Sequence, residues 1–192
     1  MRSIIKTKIR WSLPLDIYTA EKLPFAHRSI EHVIPQSILK KYAYDYSYRP
    51  SKLLQDPLNL FTTSPMMNSF RSNYKYASFL CESPMDIDKA SFPTLKCIKK
   101  EEKEEEEENH PLRKKMSIYR DSRNGIFYVT MNQRILAHTI LNMYRKYRRL
   151  EEYHSDIFHQ ENLLELWLKV PWTVREKNML QSKWLLFGET TL

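Results

Sequence analysis

Two short segments, IEHVIPQS at 30–37 and DPLNLFTTSPMMNSFRSN at 56–73, constrain the fold more than any other part of the chain. The second predicts a strand at 58–62 from its apolar and β-branched residues. Ser64 and Pro65 then suit the N-cap and the first position of a helix. The sequence therefore predicts a strand followed by a helix, as part of an α+β fold.

Three polar side chains in these segments are candidates for chemistry. Glu31 and His32 are adjacent, so they point to opposite faces of an extended backbone. Asn68 falls in the first turn of the predicted helix, where a phosphate is also electrostatically favoured. Mg²⁺ accepts carboxylate and amide oxygens and keeps several waters, so we expect Glu31 and Asn68 as metal ligands. His32, with an ordinary pKa of about 6.5, is the expected general base if an acceptor holds its other ring nitrogen.

These segments resemble the ββα-metal (His-Me finger, HNH-like) nuclease superfamily, and within it the endonuclease I family. The family patterns EHxxPxS, DxxNL and NxxRSN occur here in the same order. The resemblance implies a ββα-metal core at about 28–78 that cleaves nucleic acid with Mg²⁺, or another divalent cation such as Mn²⁺ or Ca²⁺. It also implies that Asn59 ties the β-turn under the histidine, and that Arg71 and Asn73 brace the helix.

The similarity continues, more faintly, towards the end of the chain. Residues 131–147 look like a helix of the family, and residues 163–187 look like its closing segment. The sequence departs from the family at Arg134, where a glycine is expected, and at His138, where an arginine is expected. Ser-Lys-Trp at 182–184 replaces the usual Gln-Gly-Asn. These departures affect substrate contacts more than the metal site.

The charge of the chain favours a polyanionic partner. The formal net charge is +8, although the strip KKEEKEEEEE at 99–108 holds seven glutamates against three lysines. The remainder is therefore decidedly cationic and suited to nucleic acid, although a basic surface that only aids solubility is an alternative. Consecutive glutamates repel one another and bury nothing, so 99–115 is predicted as a disordered insert. That it covers a basic groove as a mimic of nucleic acid is a less favoured alternative.

Two further segments are candidate contacts with nucleic acid. Residues 40–52 predict a loop rich in tyrosine and basic side chains, with Arg49 as a clamp for phosphate; tyrosines that cover the rim of the core are the alternative. Residues 131–147 predict an amphipathic helix with Leu136, Ile140 and Met143 on its apolar side. A cationic ridge on its other side suits the phosphate backbone; a solvated face, or a satisfied buried histidine at its centre, is the alternative. The ridge comprises Arg134, His138, Arg145, Arg148 and Arg149, and Arg71 is a further predicted contact.

The other segments predict scaffolding. Pro14 and Pro24 limit residues 1–29 to a short helix or strand pair, and Asn-Gly predicts a reversal between strands at 116–120 and 125–130. Two helices are predicted at 161–169 and 174–187. A capping box formed by Thr173 and Glu176 opens the second, whose expected buried stripe is Leu180, Trp184 and Phe187.

A chain of 192 residues with 42% hydrophobic content is expected to form one nuclease domain, with a helical scaffold at 131–188. Two cysteines, Cys81 and Cys97, make neither a disulfide framework nor a metal cluster, which favours a reducing intracellular location. A bridge between them is the alternative to free thiols. No stretch approaches the ~20 apolar residues of a membrane span. The basic first residues lack the apolar core of a secretory signal, and a mitochondrial presequence is a less favoured alternative.

The sequence thus predicts a Mg²⁺-dependent endonuclease that acts on nucleic acid, DNA rather than RNA, with low sequence specificity. One alternative is a nucleic-acid-binding protein that has the nuclease fold but no turnover. Another is an endonuclease directed to junctions or nicks, which would share the chemistry and differ in the geometry of its substrate.

Overall fold

A computed structural model describes residues 4–78, 95–99 and 117–187, with only the backbone for 95–99 and 117. Cys81 and almost all of the predicted acidic insert therefore lie outside the described residues. The described part has an α+β fold, as predicted. Its strands are β1 (Ser29–His32), β2 (Leu60–Thr63), β3 (Lys75–Ala77), β4 (Leu95–Lys99), β5 (Ser117–Asp121) and β6 (Ile126–Tyr128). Its helices are α1 (Ile4–Ser12), α2 (Gln36–Asp45), α3 (Pro50–Leu53), α4 (Pro65–Arg71), α5 (Gln133–Lys146), α6 (His154–Ile157), α7 (Leu163–Lys169) and α8 (Val174–Phe187).

The predicted unit of two strands and a helix is present at the centre of the chain. β1 pairs antiparallel with β2, with His32 opposite Leu60. The second strand begins later than predicted because Pro57–Asn59 forms a 3₁₀ turn after Asp56. The Oγ of Ser64 accepts a hydrogen bond from the backbone N–H of Met67 at 3.1 Å, which confirms the predicted N-cap of α4.

A second sheet has the strand order β3, β6, β5, β4. β5 and β6 are antiparallel, and Gly125 lies in the reversal between them with a φ of +66°, a conformation that glycine adopts without strain. The predicted strand pair is thereby confirmed. β3, which follows α4 along the chain, pairs in parallel with β6 and joins this sheet to the central unit.

Residues 40–52 are mostly helical, which corrects the predicted loop. α2 continues to Asp45, and α3 begins at Pro50. The helix forms because Leu39 and Tyr42, on one side of α2, are fully buried in the core. Only the short turn between the two helices, which includes Arg49, remains as a loop.

α5 buries its predicted apolar side, including Leu136, Ile140 and Met143. It ends at Lys146, and Arg149 has a positive φ of 72° before the next 3₁₀ turn. Arg148 and Arg149 therefore lie beyond the helix, which corrects the predicted continuous ridge.

The predicted capping box of α8 is confirmed. Glu176 accepts hydrogen bonds from the backbone N–H and the hydroxyl of Thr173, each at 2.9 Å, and the Thr173 hydroxyl accepts one from the Glu176 N–H. The predicted buried stripe of α8 is correct only in part: Leu180 and Phe187 are half-buried against the core, but Trp184 is 44% exposed, whereas Met179 and Lys183 are buried. Among the described residues, no helix is long and apolar enough to cross a membrane.

Candidate active site at the β1–β2–α4 unit

His32 lies at the end of β1 with both ring nitrogens in hydrogen bonds. Its Nε2 is 3.0 Å from the backbone carbonyl oxygen of Leu54, and because a carbonyl only accepts, Nε2 carries the proton. The Nε2 of Gln36 lies 3.2 Å from Nδ1 and donates to it. Burial lowers the pKa of His32 to about 4, and the charges of Lys6 and Arg71 also lower it. The imidazole is therefore neutral at neutral pH, with its lone pair on Nδ1.

Glu31 is buried in a cluster of polar side chains from three segments. The hydroxyl of Tyr18 donates to its Oε1 at 2.6 Å, and the Nε of Arg71 lies 3.6 Å from the same oxygen. The Tyr18 hydroxyl is also 3.0 Å from that of Tyr76. Burial raises the pKa of Glu31 to about 7, although Arg71 and the Tyr18 hydrogen bond act in the opposite direction. The carboxyl group therefore holds its proton more tightly than an exposed glutamate does.

Asn68 lies against the beginning of β1. Its Nδ2 donates to the Oγ of Ser29 at 2.9 Å and to the carbonyl of Ile30 at 3.2 Å. Its Oδ1 has no hydrogen-bond partner within the described ranges. Because side chains alternate along a strand, Ser29 and Glu31 share one face of β1. Asn68 thus stands on the face that carries Glu31, whereas His32 projects from the other.

These side chains offer a sparse set of oxygens to a metal ion. The described residues contain no cluster of three or more histidine, cysteine, aspartate or glutamate side chains that would enclose a cation. The free Oδ1 of Asn68 and the second carboxylate oxygen of Glu31 are hard neutral and anionic donors, as Mg²⁺ prefers. The Oε1 of Glu31 is already bound by Tyr18. The donor chemistry fits a hydrated divalent cation held by one oxygen from each side chain.

Asn59 fixes the backbone that follows His32. Its Oδ1 accepts from the N–H of Ile34 at 2.7 Å, and its Nδ2 donates to the Ile34 carbonyl at 2.9 Å. The backbone carbonyl of Asn59 also accepts from Val33 at 3.0 Å. The side chain is fully buried, so Asn59 acts by positioning the end of β1.

The sequence-family model for the C-terminal domain of GmrSD restriction endonucleases matches residues 3–132 of the chain. The chain belongs to this family. Membership supports nuclease activity on DNA, and the matched range contains the whole β1–β2–α4 unit but ends before α5. Among curated proteins, none matches the chain.

In this GmrSD-family domain, the side chain of Arg71 connects backbone groups inside the β1–β2–α4 unit. Its Nη2 donates to the carbonyl of Val33 at 2.9 Å, and its Nη1 donates to that of Ser72 at 2.8 Å. The guanidinium carbon lies 4.7 Å from the ring centroid of Tyr76. Because the side chain is only 1% exposed, the predicted contact between Arg71 and nucleic acid does not agree with its position.

The other predicted contacts of this domain with nucleic acid divide into exposed and packed side chains. Arg49 and Arg145 are exposed, and Arg49 precedes α3, the helix that leads to the Leu54 carbonyl beside His32. Arg149 is exposed but pairs with Glu152. Arg134 and His138 pack on the ring of Trp172, with the guanidinium carbon and the imidazole centroid 5.0 and 4.7 Å from its centroid. The pKa of His138 is lowered, chiefly by burial and to a smaller extent by the charges of Arg134 and Arg145.

Sequence reasoning missed four residues that complete the site. Gln36 belongs to the first motif, so its position four residues after His32, at the beginning of a helix, was a usable signal. Leu54 contributes only a backbone carbonyl, which no side-chain pattern reveals. Tyr18 and Tyr76 reach Glu31 from distant segments, and only the folded arrangement brings them there.

Proposed function

We propose that this domain is a metal-dependent endonuclease of the ββα-metal type, related to the endonuclease I family, with DNA of low sequence specificity as its substrate. The observation that carries the proposal is the protonation state of His32, whose imidazole is neutral with its proton on Nε2. Its Nε2 is fixed by the Leu54 carbonyl, so its lone pair lies on Nδ1, where it can accept a proton. This is the form that a general base requires.

The proposed step is attack of water on the phosphorus of a phosphodiester. A bond forms between phosphorus and the water oxygen, the bond from phosphorus to the leaving oxygen breaks, His32 takes a proton from the attacking water at Nδ1, and a second water protonates the leaving oxygen. Gln36 occupies Nδ1 in the structure, and its side chain is exposed, so it can turn away for the water. A phosphate close by raises the pKa of the imidazole, because an anion favours the charged form. The Nε2–H bond to Leu54 persists when the ring is doubly protonated and keeps its orientation.

In the proposal, Glu31 and Asn68 hold one divalent cation, Mg²⁺ or a substitute such as Mn²⁺ or Ca²⁺. When bound, the cation supplies electrostatic stabilisation of the charge that develops on the phosphate and on the leaving oxygen. Tyr18 and Arg71 orient the Glu31 carboxylate. Arg49 and Arg145, which are exposed, are proposed to bind phosphates of the substrate.

The test is cleavage of plasmid DNA by a His32→Ala variant in the presence of Mg²⁺. We expect cleavage to be abolished, while the affinity for DNA measured in chelator stays within about twofold of the parent. His27→Ala is the matched control, because His27 is exposed and lies five residues upstream; it should cleave like the parent. A folded His32→Ala variant that cuts as fast as the parent would refute the assignment of the base.

A second candidate function is binding of nucleic acid without turnover. It is favoured by one observation: the Glu31 carboxyl group is buried and already held by Tyr18 and Arg71. A gel assay separates the two candidates. Cutting that depends on Mg²⁺ and stops with chelator supports the enzyme, whereas a shifted but intact band supports the binding protein. A panel of duplex, branched, nicked and RNA substrates then tests the preference for substrate geometry.

A further inference from the structure

Trp11 and Phe25 form an aromatic pair on the surface of the domain. Trp11, in the last turn of α1, is 66% exposed, and Phe25, which precedes β1, is 40% exposed. Their ring centroids are 4.3 Å apart with an angle of 32° between the planes. Two large apolar side chains thus meet on the surface rather than in the core.

Arg28 holds this pair in place. Its Nη1 donates to the carbonyls of Arg10 and Trp11 at 2.7 and 3.2 Å, and its Nε donates to that of Leu23 at 2.9 Å. The last carbonyls of α1 are therefore satisfied by a side chain from the segment that carries Phe25. The Trp11 ring lying on the Phe25 ring forms a platform. This platform is preorganised, so little side-chain freedom would be lost when a flat ligand stacks on it.

The surroundings of the pair are cationic. The guanidinium carbons of Arg10 and Arg28 lie 5.3 and 5.8 Å from the centroid of the Phe25 ring. Lys8, one turn before Trp11 on α1, is exposed. Asp16, an acid of the same segment, is buried and receives hydrogen bonds from the backbone N–H groups of Tyr18 and Ser64. Flat rings among cations suit a ligand that combines an aromatic face with negative charge, as a nucleotide does.

The platform is close to the proposed active site. Arg28 immediately precedes Ser29, the first residue of β1 and the partner of Asn68. Glu31 lies three residues further along the strand, which is about 10 Å at the rise of an extended backbone. A nucleic acid with its phosphate at Glu31 and Asn68 would thus bring a neighbouring base within reach of Trp11.

We infer that the outer face of Trp11, whose inner face lies on the Phe25 ring, stacks an unpaired base beside the scissile phosphate, so that the domain prefers DNA with a single-stranded segment. The inference rests on the proposed function for the position of that phosphate. In a continuous duplex each base face is covered by its neighbours, whereas an unpaired base can leave the stack and lie on the platform. Stacking of a base accounts for the exposure of the aromatic pair, and the neighbouring cations would bind the phosphates of the same strand.

The test measures binding of fluorescent oligonucleotides to the whole chain in chelator, where no cutting interferes. Trp11→Ala should weaken binding of a single strand about tenfold, the loss of one base stacked on an aromatic ring. Trp11→Phe, which keeps a ring, should recover most of that affinity. Trp184→Ala is the matched control, since it removes another exposed tryptophan, on α8, and should bind within about twofold of the parent. Binding of a blunt duplex should change less than that of the single strand.

Single-strand binding by Trp11→Ala within about twofold of the parent would overturn the inference. An equal loss for duplex and single strand would overturn it as well, because stacking of an unpaired base would then contribute nothing. So would a change in tryptophan fluorescence with anionic lipid vesicles that is lost in Trp11→Phe, together with no such change on addition of the single strand, because a membrane surface would then be the partner. A parent protein that binds single strands through Trp11 but cuts no substrate supports the platform while counting against the proposed nuclease activity.

Discussion

Replacement of Glu31 by glutamine is expected to change how the stability of the domain depends on pH. In the folded state the pKa of Glu31 is raised from 4.5 to about 7, chiefly by burial. A raised pKa means that the folded state holds the proton more tightly than the unfolded chain does. The resulting stabilisation is complete below about pH 4.5 and is lost as the pH rises through about 7. A shift of this size corresponds to about 3 kcal/mol at about 1.4 kcal/mol per pKa unit.

His32 has the opposite effect over nearly the same range. Its pKa is lowered from 6.5 to about 4, again chiefly by burial. The stabilisation from its neutral form is complete above about pH 6.5 and is lost as the pH falls through about 4. Its size is also about 3 kcal/mol. In the parent protein the two contributions nearly cancel between these limits, so removal of Glu31 should expose the acid sensitivity that His32 confers.

The measurement is urea unfolding of the parent and of Glu31→Gln from about pH 4.5 to about pH 8. The free energy of unfolding of the variant minus that of the parent should be about 3 kcal/mol larger at the alkaline end of this range than at the acidic end. Glu165→Gln, a change at an exposed acid on α7, should show a difference from the parent that varies by less than about 0.5 kcal/mol. A Glu31→Gln curve parallel to that of the parent at every pH would refute the reasoning.

Two further predictions concern the same unit. The Mg²⁺ concentration for half-maximal cleavage should fall as the pH rises towards about 7 and then level off, because Glu31 must lose its proton to bind a cation. Metal titrations at several pH values check this, and a requirement independent of pH would contradict Glu31 as a ligand. Asn59→Ala should lower the free energy of unfolding by about 2–3 kcal/mol, because it removes both side-chain hydrogen bonds to Ile34. Its kcat should fall more than its KM rises; a stable variant with unchanged kcat would show that the backbone after His32 needs no such clamp.

Local signals in the sequence predicted the central unit well. The N-cap at Ser64, the reversal at Gly125 and the capping box at Thr173 each depend on residues within about one turn of one another, and each is present. Elements set by long-range packing were not predictable in the same way. Tyr42 extends α2 into the predicted loop because the core accepts its ring, and nothing near it in the sequence specifies that environment.

The error on α8 has a physical reason. A buried stripe is usually read from apolar residues, so Trp184 was chosen and Lys183 was not. Lys183 is buried because its Nζ donates to the Leu58 carbonyl at 2.6 Å and lies 3.5 Å from the centroid of the Phe61 ring. Glu176 is buried for a similar reason, since its Oε1 accepts from the N–H of Ile135 at 3.2 Å, in the first turn of α5. Partners on other segments, which the local pattern does not contain, decide which face of α8 points inwards.

The two halves of the proposed site are joined through one backbone group, the carbonyl of Val33. It follows His32 directly and accepts hydrogen bonds from the Nη2 of Arg71 and from the Tyr76 hydroxyl, both at 2.9 Å. The same Arg71 faces the Oε1 of Glu31, and its charge lowers the pKa values of both Glu31 and His32. Removal of that charge would therefore raise both pKa values while releasing the end of β1. Because Arg71 is buried and cationic, it lowers the pKa of the proposed metal ligand and that of the proposed base together, without touching the substrate.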